Sequence, residues 1–148
     1  MKRFLVFMTL LPGPLTFLAY DLLVEMYPDY ALGLLQARKE VATLVAGFSF
    51  TMLGFLAAII TILFAFVNSE AFKRYKRGGY LDLLFFLYVF TVLDLVVTAF
   101  LSLYGFSNQV FEWPFKIMVM FFENSLIQVM IITIIISNLA RNATNEHV

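Results

Sequence analysis

Four long apolar stretches, each of bilayer-crossing length, set the limits on what this chain can fold into. They run from about Phe4 to Tyr27, from Val41 to Val67, from Leu81 to Tyr104 and from about Phe115 to Leu139. About 20 residues rising 1.5 Å each cross a hydrocarbon core of roughly 30 Å. None of the four shows the alternating period of a barrel strand, and backbone polar groups in lipid must be satisfied within the segment, so each is expected to be a helix. The expected fold is all-α: an integral membrane four-helix bundle occupying residues 1–148 as one transmembrane domain, multi-pass, with the lipid bilayer as its first partner.

Composition excludes the main alternatives. With 62% hydrophobic and 14% charged residues in 148, a soluble globule of this size would expose broad apolar patches. A soluble enzyme, a nucleic-acid-binding domain and a disordered chain are therefore all unexpected. The absence of Cys removes disulfides, thiolate metal sites and Cys nucleophiles, and the single His, His147, stands one residue from the end. We expect no metal, no cofactor and no enzymatic activity, because no His–Ser–Asp set, ligand cluster or phosphate-cradling Gly loop is present.

Orientation follows from Lys and Arg in the short connections. Lys2 and Arg3 precede the first stretch, Arg38 and Lys39 the second, and Lys73, Arg74, Lys76 and Arg77 the third; Lys116 opens the fourth and Arg141 follows it. Placing both termini in the cytoplasm puts seven of these ten basic residues inside and three outside, which predicts an N-in/C-in topology. Asp21 and Glu25 stand where small residues would guide signal cleavage, so the first stretch reads as an uncleaved anchor. Its Pro12-Gly13-Pro14 predicts a kink or break, serving packing or a gating hinge. Asp21, Glu25 and Asp29, four residues apart, form an outer acidic cluster that would concentrate cations at an entrance or simply mark an interfacial helix end. The basic cytoplasmic loop 68–80, with Lys73, Arg74, Lys76 and Arg77 among aromatic residues, suits anionic headgroups or a cytosolic partner as well as a topology signal; Gly78-Gly79 predicts a turn that sets re-entry of the third helix.

Polar residues inside the stretches are the candidate functional groups. In the second, Thr43, Gly47, Thr51, Gly54, Ala58, Thr61 and Ala65 fall within a sector of about 80°. Such a stripe of small side chains lets another helix approach closely; the alternative is a pore-lining face with the Thr51 and Thr61 hydroxyls. In the third, Thr91, Asp94, Thr98 and Ser102 share a sector of similar width, with Asp94 near mid-membrane, where an acid costs roughly 2.5–3.5 kcal/mol on insertion scales. Ion or proton handling and structural hydrogen bonding both account for it. The fourth adds Glu123, Asn124 and Gln128. Together Asp94, Thr91, Thr98, Ser102, Glu123, Asn124 and Gln128 form the expected pore or ion pathway.

The order of Thr51-Met52, Leu56-Ala57-Ala58, Thr61, Lys73-Arg74-Tyr75-Lys76-Arg77, Gly79-Tyr80 and an acid at Asp94 resembles the RexB family, the membrane component of the lambdoid Rex phage-exclusion system. At Asp94 this chain has Asp where the family pattern has Glu, and its first and fourth stretches depart from that pattern. The resemblance implies a homo-oligomeric, channel-forming effector of the bacterial inner membrane that depolarises the cell in antiviral defence by abortive infection, triggered by a cytosolic sensor protein. Two other readings stay open: a small proton-coupled four-helix transporter, marked by saturable substrate-dependent proton movement, and a non-conducting membrane assembly or immunity partner, marked by a neighbouring gene for a large membrane complex.

Overall fold

The computed structural model describes residues 11–27, 33, 36–107 and 112–144, and among them the regular structure is helical throughout. The helices are α1 (Pro12–Met26), α2 (Arg38–Ala65), α3 (Glu70–Arg77), α4 (Tyr80–Tyr104) and α5 (Glu112–Thr144). Three of them, α2, α4 and α5, are long and apolar enough to cross a membrane. Their outer faces present Leu44, Phe50, Phe64, Phe86, Leu93, Phe100, Met130 and Ile134 as exposed side chains, an arrangement suited to acyl chains and not to water. These features are those of an all-α, multi-pass membrane protein.

Helix α1 is 15 residues long, and Pro12-Gly13-Pro14 form its first turn. There proline's missing N–H has no intrahelical acceptor to lose. Residues 1–10, where a kink in the first stretch would show, lie outside the described residues, as do Asp29 and His147. Gly13 is buried, and a Cβ there would stand 3.5 Å from Met120 Cγ of α5, so the proline-flanked glycine brings α1 close to α5.

The segment 68–80, expected as a loop, is largely helical. Ser69 Oγ accepts a hydrogen bond of 3.1 Å from the Phe72 N–H, capping the first turn of α3. Glu70 lies at the positive end of the helix dipole and Arg74, Lys76 and Arg77 at the negative end, each favourable with the dipole. Its apolar side, Ala71 and Phe72, joins the core. Gly79, at φ 66°, takes the left-handed conformation that reverses the chain into α4, as the Gly-Gly pair predicts. Helix α5 continues past Leu139 to Thr144, because Leu139 and Ala143 are buried in the same apolar cluster as Ala71 and Phe72.

Helix α4 is the centre of the bundle, packed against α2, α3 and α5, while α1 packs on α5. At one end Gly105 lets the exit of α4 meet the start of α2: a Cβ on Gly105 would fall 2.3 Å from Ala42 Cβ and 3.3 Å from the Arg38 carbonyl oxygen. Arg38 Nη2 closes the same corner by donating to the Ser107 carbonyl oxygen at 2.9 Å. Gly105→Leu is expected to destabilise the bundle by about 1–3 kcal/mol, the usual range for overpacking, seen as a lower thermal midpoint in detergent. An unchanged midpoint would show that this crossing yields without strain.

Candidate functional site

Two apolar clusters fill the two ends of the bundle. One holds Leu56, Leu63, Leu84, Leu95, Ile132 and Leu139, and the other Val45, Phe115 and Met118. Along the inward faces of α2, α4 and α5 runs a layer of buried polar side chains: Ser49, Thr91, Asp94, Thr98, Ser102, Asn124, Ser125 and Gln128. This layer is the candidate site.

Asp94 is only 3% exposed and faces α5. Its Oδ2 accepts from Asn124 Nδ2 at 2.6 Å and from Gln128 Nε2 at 3.0 Å. Asn124 and Gln128 stand one turn apart, so their side chains emerge from the same face of α5. The acid therefore turns toward a fellow helix, and the hydrogen bonding expected of it is present. Ion pairs lie toward the ends instead, with Lys73 and Arg77 on Glu70 and Lys116 on Asp21.

The hydroxyls of the layer do not donate to the Asp94 carboxylate. A serine or threonine hydroxyl has one proton, and here each goes to the residue's own helix: Ser49 to Val45 O, Thr91 to Leu87 O, Thr98 to Asp94 O, Ser102 to Ala99 O and Ser125 to Phe122 O. What these hydroxyls still offer is oxygen lone pairs. Both carboxamides turn their nitrogens to the carboxylate, and Asn124 Oδ1 and Gln128 Oε1 are buried without a hydrogen-bond partner. An unsatisfied buried acceptor costs about 1–3 kcal/mol, so these two oxygens are the places in the network where a further hydrogen-bond donor gains most.

Thr91, Asp94, Thr98, Ser102, Asn124 and Gln128 from the expected ion pathway are thus all buried within the bundle, with Asp94, Asn124 and Gln128 in direct contact. Glu123 is not. It is exposed on another face of α5, where the Thr16 hydroxyl stands 2.7 Å from its Oε2. Lys116, two turns before Glu123, reaches Asp21 of α1 and lies 3.8 Å over the Phe17 ring. Of the outer acidic cluster, Asp21 carries this ion pair and Glu25 is exposed.

The small-residue stripe of α2 has a different place. Gly47, Thr51, Gly54, Ala58 and Thr61 are all exposed, as are Thr43 and Ala65, and a Cβ at Gly47 or Gly54 would meet nothing within 4 Å. Within the protomer α2 packs through Ala42, Val45, Ser49, Leu56, Ile59 and Leu63. The Thr51 and Thr61 hydroxyls donate to Gly47 O and Ala57 O, so the stripe is a smooth outward face. The basic residues Lys73, Lys76 and Arg77 of α3 are exposed too. Lys73 beside Glu70 holds that carboxyl below the usual range, so this pairing is complete at neutral pH and is lost as pH falls through the lowered value.

Sequence reasoning missed the helix α3, which Ser69, Glu70 and the basic last turn signal, and the orphaned amide oxygens, which nothing in a sequence reports. Compared with protein-family models, with characterised proteins and with solved structures, the chain matches none. The fold and layer therefore define a class alone: an all-helical multi-pass membrane protein with an acid-centred polar layer.

Proposed function

We propose that the chain is an ion-conducting protein of the bacterial inner membrane, active as a homo-oligomer, with the Asp94–Asn124–Gln128 layer as the station where a cation loses its water. The observation that carries this reading is a buried acid in a bilayer-length helix: Asp94 is 3% exposed and is held by the amides of Asn124 and Gln128 on a neighbouring bilayer-length helix. Ionisable groups at such depth mark ion and proton pathways, and the carboxylate and amide oxygens supply the ligand type that a partly dehydrated monovalent cation or a proton requires.

Four spans with both termini inside complete the reading. The 15 residues of α1 extend about 22 Å at 1.5 Å per residue, and in the sequence the apolar stretch that contains them begins at Phe4. Thr91, Thr98 and Gln128 are fully buried in one protomer, and the exposed stripe of α2 offers a face through which copies associate. The order of motifs similar to the RexB family supports a defence effector that collapses the membrane potential, with the basic face of α3 taking the signal of a cytosolic sensor.

Purified protein in liposomes is expected to release monovalent cations down their gradient, and Asp94→Asn to lower that flux at least tenfold while leaving the protein assembled. Unaltered flux would remove Asp94 from the conduction path. The complete burial of the layer within one protomer also suits the proton-coupled transporter, and saturable exchange of protons for a substrate would move the assignment there.

A further inference from the structure

Helix α1 leans on α5 but leaves a cleft of about 540 Å³ between itself, α2 and the outer half of α5. That volume is within the range of roughly 300–1,000 Å³ typical of small-molecule sites. Its walls are aliphatic, as at Leu23 and Val45, with three aromatic rings, Tyr20, Phe115 and Phe122, and one carboxylate, Glu123. The Glu123 carboxylate has a neutral partner, Thr16, whose hydroxyl also lies 2.9 Å from Pro12 O. The nearby ammonium of Lys116 is held elsewhere, by Asp21 and the Phe17 ring.

We propose that this cleft binds a hydrophobic organic monocation, of the quaternary ammonium or aryl-phosphonium class, against Glu123. Charge and shape both select it. A neutral hydrophobe would gain the aliphatic walls but leave a carboxylate in apolar surroundings without a counter-charge, while a small hydrated cation would gain the carboxylate but not the walls. A cation with an apolar shell satisfies both, and the electron-rich faces of Tyr20, Phe115 and Phe122 add attraction. Lys116, 5.6 Å from the Tyr20 centroid, already places a cation against one of these rings. The cleft is separate from the Asp94 layer, and its occupancy does not depend on whether the chain conducts.

Equilibrium dialysis of radiolabelled tetraphenylphosphonium against the full chain in detergent tests this. One saturable site per chain is expected, weakened at least tenfold by Glu123→Gln and equally by Ala19→Phe, which fills the cleft from α1; Asp94→Asn should change affinity less than twofold. Thermal midpoints of the variants identify any that fail to fold, and the two cleft variants act through different groups, so either decides the question. Absence of saturable binding, undiminished binding in folded Glu123→Gln, or equally tight binding of neutral triphenylphosphine oxide would overturn the proposal, the last leaving only a groove for acyl chains.

Discussion

Exchanging Asn124 for Val together with Gln128 for Met is expected to lower the thermal midpoint of the protein sharply, and adding Asp94→Val to the same chain is expected to restore it. The double variant removes both donors from a carboxylate that is 3% exposed. A hydrogen bond to a charged group contributes about 1.5–3 kcal/mol, so losing both removes a large part of the total stability of about 5–15 kcal/mol of an ordinary domain. A lone carboxyl at mid-membrane has no water to turn to, and its protonated form would still have to place an O–H among apolar neighbours. The triple variant leaves neither a charge nor an amide to satisfy, and replacing all partners by apolar groups of similar shape is near neutral or stabilising.

Thermal unfolding in detergent with a guanidinium-free buffer checks the pair of outcomes, and flux in liposomes separates structure from function. The triple variant should fold at or above the parent midpoint and pass no cations. If it unfolds as readily as the double variant, the amides serve something other than Asp94, and the layer is a packing device. Because these residues share one network, their effects are not additive, and the return of stability on adding a third substitution is the signature of that coupling.

Much of this layer could be read before any coordinates. Asp94 announces itself because an acid in the middle of a 25-residue apolar helix needs a partner, and the four-residue spacing of Asn124 and Gln128 puts both on one face. What could not be read is the direction of each amide, which depends on contacts between helices, and so the orphaned oxygens stayed hidden. Nor does sequence say which helix Lys116 will find, since its partner Asp21 is 95 positions away. The segment 68–80 was legible in its parts, Ser69 as a cap and Glu70 with Arg74, Lys76 and Arg77 at opposite dipole ends, but eight residues are too few to be helical without the packing of Ala71 and Phe72. Glu123 looks like a neighbour of Asn124 in sequence, yet 100° per residue turns it to the cleft.

The stripe on α2 shows the same limit and leads to the second large expected effect. Periodicity finds a face of small residues, but in a membrane helix both the inward and outward sides are apolar, so pattern alone does not say which side meets a neighbour. In the protomer the stripe faces outward, and Gly47 and Gly54 have open space where a side chain would go. Leucine at both positions should leave the folded protomer intact, and even favour α2 slightly, since glycine is less favourable than most residues in a helix by up to about 1 kcal/mol. Association is another matter. Small-residue faces hold helices together by close backbone approach, and two inserted side chains at such a contact act as overpacking, about 1–3 kcal/mol each. For the proposed homo-oligomeric channel, the double variant Gly47→Leu with Gly54→Leu is therefore expected to weaken assembly by about thirtyfold or more and to abolish conduction with it, while Val97→Leu on the exposed side of α4 changes neither. Subunit counting by photobleaching in liposomes, alongside flux, reads both at once. Full assembly in the double variant would mean that copies meet through another surface; loss of assembly with flux retained would mean that a single protomer conducts, and that the path runs through the Asp94 layer alone.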